Sequence, residues 1–127
     1  MPGVGPIVAV LDDEAEMRKA LHRLLIIRGF RVLDFSCGAD LLDALESSQI
    51  DYLLLDLHMP GVSGFEVLET LHARSNPVPV IVITAHDEPG TEQQVRSLGA
   101  CAYLKKPVDR DALFSAIARA PSHIWNP

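Results

Sequence analysis

Asp12, Asp13, Asp56, Thr84 and Lys106 stand at or just beyond the carboxyl ends of short apolar runs: Ile7 to Leu11, Tyr52 to Leu55, Val80 to Ile83, and Ala102 to Leu104. Carboxylates brought together repel one another, and either protonation or a cation relieves the repulsion. Oxygen ligands with no neighbouring cysteine or histidine pair favour a hard ion. A solvent-open site that also takes phosphate suits Mg²⁺, whereas Ca²⁺ wants more protein oxygens. Asp56, at a strand end, can attack a phosphorus atom in line and form an aspartyl phosphate. Lys106 is the candidate amine to offset the developing charge, since Pro107 fixes the turn after it and strand alternation aims Lys105 at the opposite face. Thr84 supplies a hydroxyl able to donate to a phosphoryl oxygen. Each residue alone has a plainer reading: Asp12 and Asp13 can cap the first helix, Thr84 can cap a loop, and Lys106 can be a solvated surface lysine. Their joint presence is what favours a site.

Chain segments must carry these ends to one place. Short β-branched or Leu-rich runs alternate with segments of helical period, five of each, the pattern of an α/β chain with a doubly wound parallel sheet. Met17, Leu21, Leu24 and Leu25 give the first helix its apolar stripe, and Arg28-Gly29 closes it. A strand over Arg31 to Phe35 follows, then Ser36 as the expected cap of a helix carrying Leu41, Leu42 and Leu45. Asp51 to Leu55 reads as a central strand covered on both faces. Ser63 and Glu66 have capping-box spacing, opening a helix that buries Phe65, Leu68 and Leu71. The fourth helix, about Thr91 to Leu98, offers little apolar surface beyond Val95 and Leu98 and should be the least firmly held. Cys101 to Leu104 is the last strand, and Asp109 caps a final helix bearing Leu113, Phe114 and Ile117. In such a fold, ligand groups gather beyond the carboxyl ends of the strands at the topological switch point.

The 127 residues fit one domain with a true core. A net charge of -6 argues against direct contact with nucleic acid. No apolar run approaches the roughly 20 residues of a membrane helix, so no membrane partner is expected and the chain reads as cytoplasmic. Cys37 and Cys101 lack metal spacing and read as reduced, packing thiols in preference to a redox switch.

Taken together, Asp12-Asp13, Leu55-Asp56-Leu57-His58-Met59-Pro60-Gly61, Thr84-Ala85 and Tyr103-Leu104-Lys105-Lys106-Pro107 resemble the receiver domain of bacterial two-component response regulators over nearly the whole chain. The resemblance implies a flavodoxin-like (βα)5 sandwich with strand order 2-1-3-4-5. It implies a receiver over residues 1-120, with 121-127 a C-terminal tail, a partner contact or the start of a linker. Asp56 would be the phosphoacceptor, charged from a phosphohistidine of a sensor histidine kinase or phosphotransfer protein. Asp13, Asp56 and the main-chain carbonyl of His58 would ligate Mg²⁺, with Asp12 acting largely through water. Lys106 would pair with the phosphoryl group, and its bond to Pro107 would be cis. Thr84 and Tyr103 would form the switch: Thr84 moves toward the new oxygens and Tyr103 turns into the vacated space. The face made by the fourth helix, fifth strand and fifth helix would then be the output surface and a route to a homodimer.

Some residues leave alternatives open. Tyr103 can be an ordinary half-buried strand aromatic. His58 and His86, two residues after Asp56 and Thr84, are either exposed loop histidines or side chains that tune hydrolysis of the phosphoryl group. Neither has metal-ligand spacing in the sequence. The chain is either a free-standing receiver or part of a longer regulator, with its downstream target unread. The expected activity is that of a signalling module with self-phosphorylation and self-dephosphorylation, not an enzyme acting on an external metabolite. Two competitors are a pseudo-receiver that works by binding alone and a phosphatase of the haloacid-dehalogenase type. The second wants another acid two residues after its nucleophile, where this chain has His58.

Overall fold

Strand and helix alternate without interruption in the computed structural model, which describes residues 5–121. The elements are β1 (Ile7–Leu11), α1 (Ala15–Ile27), β2 (Arg31–Phe35), α2 (Gly38–Ser47), β3 (Tyr52–Asp56), α3 (Gly64–Ala73), β4 (Val80–Thr84), α4 (Thr91–Ser97), β5 (Ala102–Lys105) and α5 (Arg110–Arg119). All strand pairs are parallel, and the sheet order is β2-β1-β3-β4-β5. The expected α/β doubly wound fold and its strand order are therefore those observed. The 122–127 segment, with Trp125, lies outside the described residues.

Period-two alternation sends successive strand residues to opposite faces. Ala9, Leu11, Leu53, Leu55 and Val82 pack with Leu41, Val67, Leu68 and Val95 from α2, α3 and α4. Val8, Val10, Leu54, Ile81 and Ile83 pack with Leu21, Leu25, Leu113 and Ile117 from α1 and α5. Helices thus cover both faces, which is why the central strands read as unbroken apolar runs.

Several local expectations change. The residue before α2 is Cys37, not Ser36, and it makes no side-chain cap hydrogen bond. Cys37 is exposed and so is not a packing thiol, while Cys101 is half-buried; the two form no disulfide. Asp51 does not belong to β3: its carboxylate accepts the Ile7 N–H at 2.6 Å and fastens the start of β1, while pairing begins at Tyr52. On α3 the fully buried residues are Gly64, Val67, Leu68 and Leu71, leaving Phe65 half-buried at the rim. The last strand runs one residue later than expected, through Lys105.

Two expectations about helix starts hold. Ser63 and Glu66 form a reciprocal capping box on α3, and Asp109 accepts the Ala112 N–H to cap α5. A Cβ at Gly64 would meet the backbone of Asp56 and Leu57, so only glycine lets the first turn of α3 lie against the end of β3. The α4 helix has seven residues, of which only Thr91 and Val95 are buried, and its N-cap Gly90 has φ of 87° with no side-chain cap.

Candidate functional site

The parallel register places the ends of β1, β3, β4 and β5 along one edge of the sheet. Asp12 follows β1 directly, and Asp56 is the last residue of β3; both are almost wholly buried, at 2% and 4% exposure. Asp13 is exposed. One carboxylate oxygen from each of Asp12, Asp13 and Asp56 lies within 4.8 Å of the other two. The predicted acid cluster is thus assembled from residues far apart in sequence.

Lys106 reaches into this cluster. Its Nζ lies 3.0 Å from Asp12 Oδ2, 3.1 Å from Glu14 Oε1 and 3.6 Å from Asp56 Oδ2, with the side chain 8% exposed. The Lys106 N–H donates to the Thr84 carbonyl at 2.8 Å, which fixes where the side chain starts, and the Lys106–Pro107 bond is cis. Lys105 points the other way and pairs with Asp87 at 3.2 Å, as strand alternation requires. Glu14 is a member of this cluster that no motif marks. Its one sequence signal is its position directly after Asp12-Asp13.

Burial pushes the Asp56 carboxyl up from its ordinary range. The Lys106 charge pulls it down, Asp12 raises it, the His58 N–H lowers it and Asp13 raises it again, and the sum stays upward. Burial alone would pull Lys106 down, but hydrogen bonds to Asp12 and Glu14, with the charges of Asp56 and Asp12, outweigh it and raise it. The lysine is thus held as a cation among the acids.

Thr84 is fully buried, and its hydroxyl is already engaged. It accepts the His86 N–H at 3.0 Å and faces the His86 carbonyl, to which it donates, at 3.3 Å. The His58 N–H donates to Asp56 Oδ1 at 3.4 Å. The His58 and His86 rings meet edge to face, with centroids 4.8 Å apart, and His58 also stands edge-on to Phe65 at 6.1 Å. Sequence spacing gave no sign of this imidazole pair, because the two rings come from different loops. Tyr103 is half-buried and its hydroxyl donates to Asp87 Oδ1 at 2.8 Å.

Oxygen donors gathered beyond a parallel sheet, with a buried amine and hydroxyl beside them, can hold a hard cation and a phosphoryl group together. The chain matches the family model described as "Response regulator receiver domain" over residues 8–118. It belongs to that family. The receiver is 38% identical over 117 residues to the DNA-binding transcriptional regulator NtrC of Escherichia coli (strain K12), covering 92% of this chain and 25% of that protein. It is 34% identical over 113 residues to the transcriptional regulatory protein FixJ of Bradyrhizobium diazoefficiens, covering 89% of this chain and 55% of that one. The receiver therefore spans a quarter to about half of these relatives' length. The solved structure of response regulator StyR superimposes with a TM-score of 0.83 at 37% identity, covering 91% of this chain and 59% of that chain. Membership makes this a receiver domain of two-component response regulators, a signalling class. No helix among the described residues is long and apolar enough to cross a membrane.

Proposed function

We propose that this receiver accepts a phosphoryl group on Asp56, in a Mg²⁺-dependent reaction, from the phosphohistidine of a sensor histidine kinase or phosphotransfer protein. The observation that carries the reading is the buried Asp56 carboxylate sharing Lys106 with Asp12, with Asp13 in reach. An Asp56 oxygen attacks phosphorus, the P–N bond of the phosphohistidine breaks, and its electron pair stays on the departing imidazole nitrogen. The product is an aspartyl phosphate. Asp12, Asp13 and Asp56, with the His58 main-chain carbonyl, would hold Mg²⁺, which supplies positive charge to phosphoryl oxygens when bound. Their all-oxygen donor set fits that ion. Lys106 offsets charge on the same group from the other side, and Thr84 leaves the His86 backbone to donate to it.

The output step follows from space and charge. The new group adds about -1.5 to -2 charges. Movement of Thr84 frees room beside β4 for Tyr103 to turn inward, and the lightly anchored α4 shifts with its leading loop. The surface of α4, β5 and α5 is then the output face and the route to a homodimer or downstream partner. His58 and His86 bracket the path of attacking water and tune the lifetime of the phosphoryl group, so the module removes the group as well as taking it. Residues 1–120 form the receiver and 121–127 serve as tail or linker.

Intact-mass spectrometry after incubation with acetyl phosphate, with and without Mg²⁺, tests this on the parent chain and Asp56→Asn. A single phosphoryl adduct requiring both Mg²⁺ and Asp56 is expected. No adduct in a folded chain, with rapid quenching to exclude fast hydrolysis, would leave a pseudo-receiver that acts by binding.

A further inference from the structure

A single loop carboxylate, outside the acid cluster, takes contacts from two residues of β5. Tyr103 donates its hydroxyl to Asp87 Oδ1 at 2.8 Å, and Lys105 Nζ lies 3.2 Å from Oδ2. Tyr103 and Lys105 alternate along the strand, so their side chains leave the same face, and one carboxylate spans both. Asp87 sits beside His86, whose backbone holds the Thr84 hydroxyl at 3.0 and 3.3 Å. Two adjacent loop residues thus retain the two side chains whose movement the switch requires. The same loop runs into α4, where the Thr91 N–H donates to the Glu88 carbonyl at 3.1 Å.

We infer that Asp87 is a positioning residue for the switch: its carboxylate holds Tyr103 against the β4–α4 loop and biases the unphosphorylated receiver toward its resting packing. This rests on the phosphoacceptor reading above. A hydroxyl bonded to an ionised acceptor is stronger than a neutral pair. The hydrogen bond from Tyr103, followed by that from Lys105, holds the Asp87 carboxyl below its ordinary range, so it stays ionised near neutral pH. The pair is solvent-accessible, with the Asp87 side chain 41% exposed, so screening keeps the bias small enough for a phosphoryl group to overcome. Release of Tyr103 requires Asp87 to let go. Because Thr84 leaves His86 one residue away, the two releases are mechanically linked through the loop backbone.

The test combines tyrosine ring NMR of the unphosphorylated chain with initial rates of phosphorylation by acetyl phosphate and Mg²⁺. The variants are Asp87→Ala, Asp87→Asn, Tyr103→Phe and Asp87→Ala/Tyr103→Phe. Asp87→Ala should displace the Tyr103 ring resonances while Tyr52 stays in place. It should also raise the phosphorylation rate about two- to tenfold, the range one exposed charge-assisted hydrogen bond supports. Asp87→Asn keeps an acceptor for the hydroxyl but loses the Lys105 pair, so it should fall between. The gain from Asp87→Ala should shrink in the Tyr103→Phe background. Unmoved Tyr103 signals, an unchanged rate, or equal gains in both backgrounds would overturn the inference. A parent chain that takes no phosphoryl group would overturn the phosphoacceptor reading instead, and the ring signals would still decide whether Asp87 positions Tyr103.

Discussion

For the proposed chemistry Asp56 must be buried enough to exclude competing water yet ionised enough to act as a nucleophile, and Lys106, standing among Asp12, Glu14 and Asp56, would reconcile the two demands. Burial leads the causes that raise the Asp56 carboxyl, so folding favours its protonated form. That contribution to stability is fully present below the unfolded-state pKa and is lost as pH rises through the raised folded value. At neutral pH without metal, the ionised carboxylate is therefore a net cost. Asp56→Asn should raise the metal-free melting midpoint by a few degrees, about 1 kcal/mol, while abolishing the phosphoryl adduct. A lower midpoint by calorimetry would contradict this. Lys106→Met should do the reverse, because it leaves Asp12 and Asp56 without their shared cation. The expected loss is about 1–3 kcal/mol, with phosphorylation slowed at least ~10-fold. Added Mg²⁺ should recover more of the Lys106→Met midpoint than it adds to the parent's. An equal Mg²⁺ increment in both chains would mean that the lysine does not neutralise the acids.

Element starts differ in how openly the sequence declares them. The start of α3 was legible because Ser63 and Glu66 have side chains that satisfy the first-turn amides. The start of α2 was not, since no side chain at Cys37 does that work and nearby Ser36 offered a false cap. Asp51 misled in another way: it adjoins an apolar run but spends its carboxylate on the Ile7 amide, a contact between residues 44 positions apart. Phe65 has the helical spacing of a core residue, yet Val67 takes the buried position and the phenyl ring lies at the rim near His58. The first turn of α3 bears on the proposed chemistry, because it rests on the backbone that carries Asp56. Ser63→Ala should cost about 1 kcal/mol, an ordinary lost cap. Gly64→Ala places a Cβ against the Asp56 and Leu57 backbone and should cost about 1–3 kcal/mol or more. It should also slow phosphorylation, whereas Ser63→Ala should leave the rate within about twofold after allowance for any unfolded fraction. Denaturant unfolding alongside adduct formation separates the two effects, and matched rates would show that Asp56 tolerates displacement of the helix.

At the scale of the molecule, topology converts four distant strand ends into one site, and that conversion was readable because each chemical residue closes an apolar run. Contacts between loops were not readable. The Lys106–Glu14, Tyr103–Asp87 and His58–His86 approaches depend on how loops fold back over the sheet edge, in one case onto β5, and no periodicity encodes that. On the proposed reading, the site couples the stability of the whole fold to pH and metal. An ion that binds only the native state stabilises it by about 2.7 kcal/mol at 100 times its Kd. Carboxylates must lose their protons before they can hold it. Without Mg²⁺, the Asp56 contribution declines as pH climbs through its raised folded value; with Mg²⁺, the same ionisation creates the ligand that binding needs. The Mg²⁺-induced rise in melting midpoint should therefore be smallest in acid, where Asp56 is protonated, and grow as pH climbs through its raised folded value toward neutrality. It should be strongly reduced at every pH in Asp56→Asn, with Na⁺ at matched ionic strength as the control for screening. Near- and far-ultraviolet circular dichroism transitions should coincide if side-chain packing and helices unfold together. A Mg²⁺ increment that is flat across that range, or that survives intact in Asp56→Asn, would place ion binding elsewhere on this acidic surface and remove the metal from the site at the sheet edge.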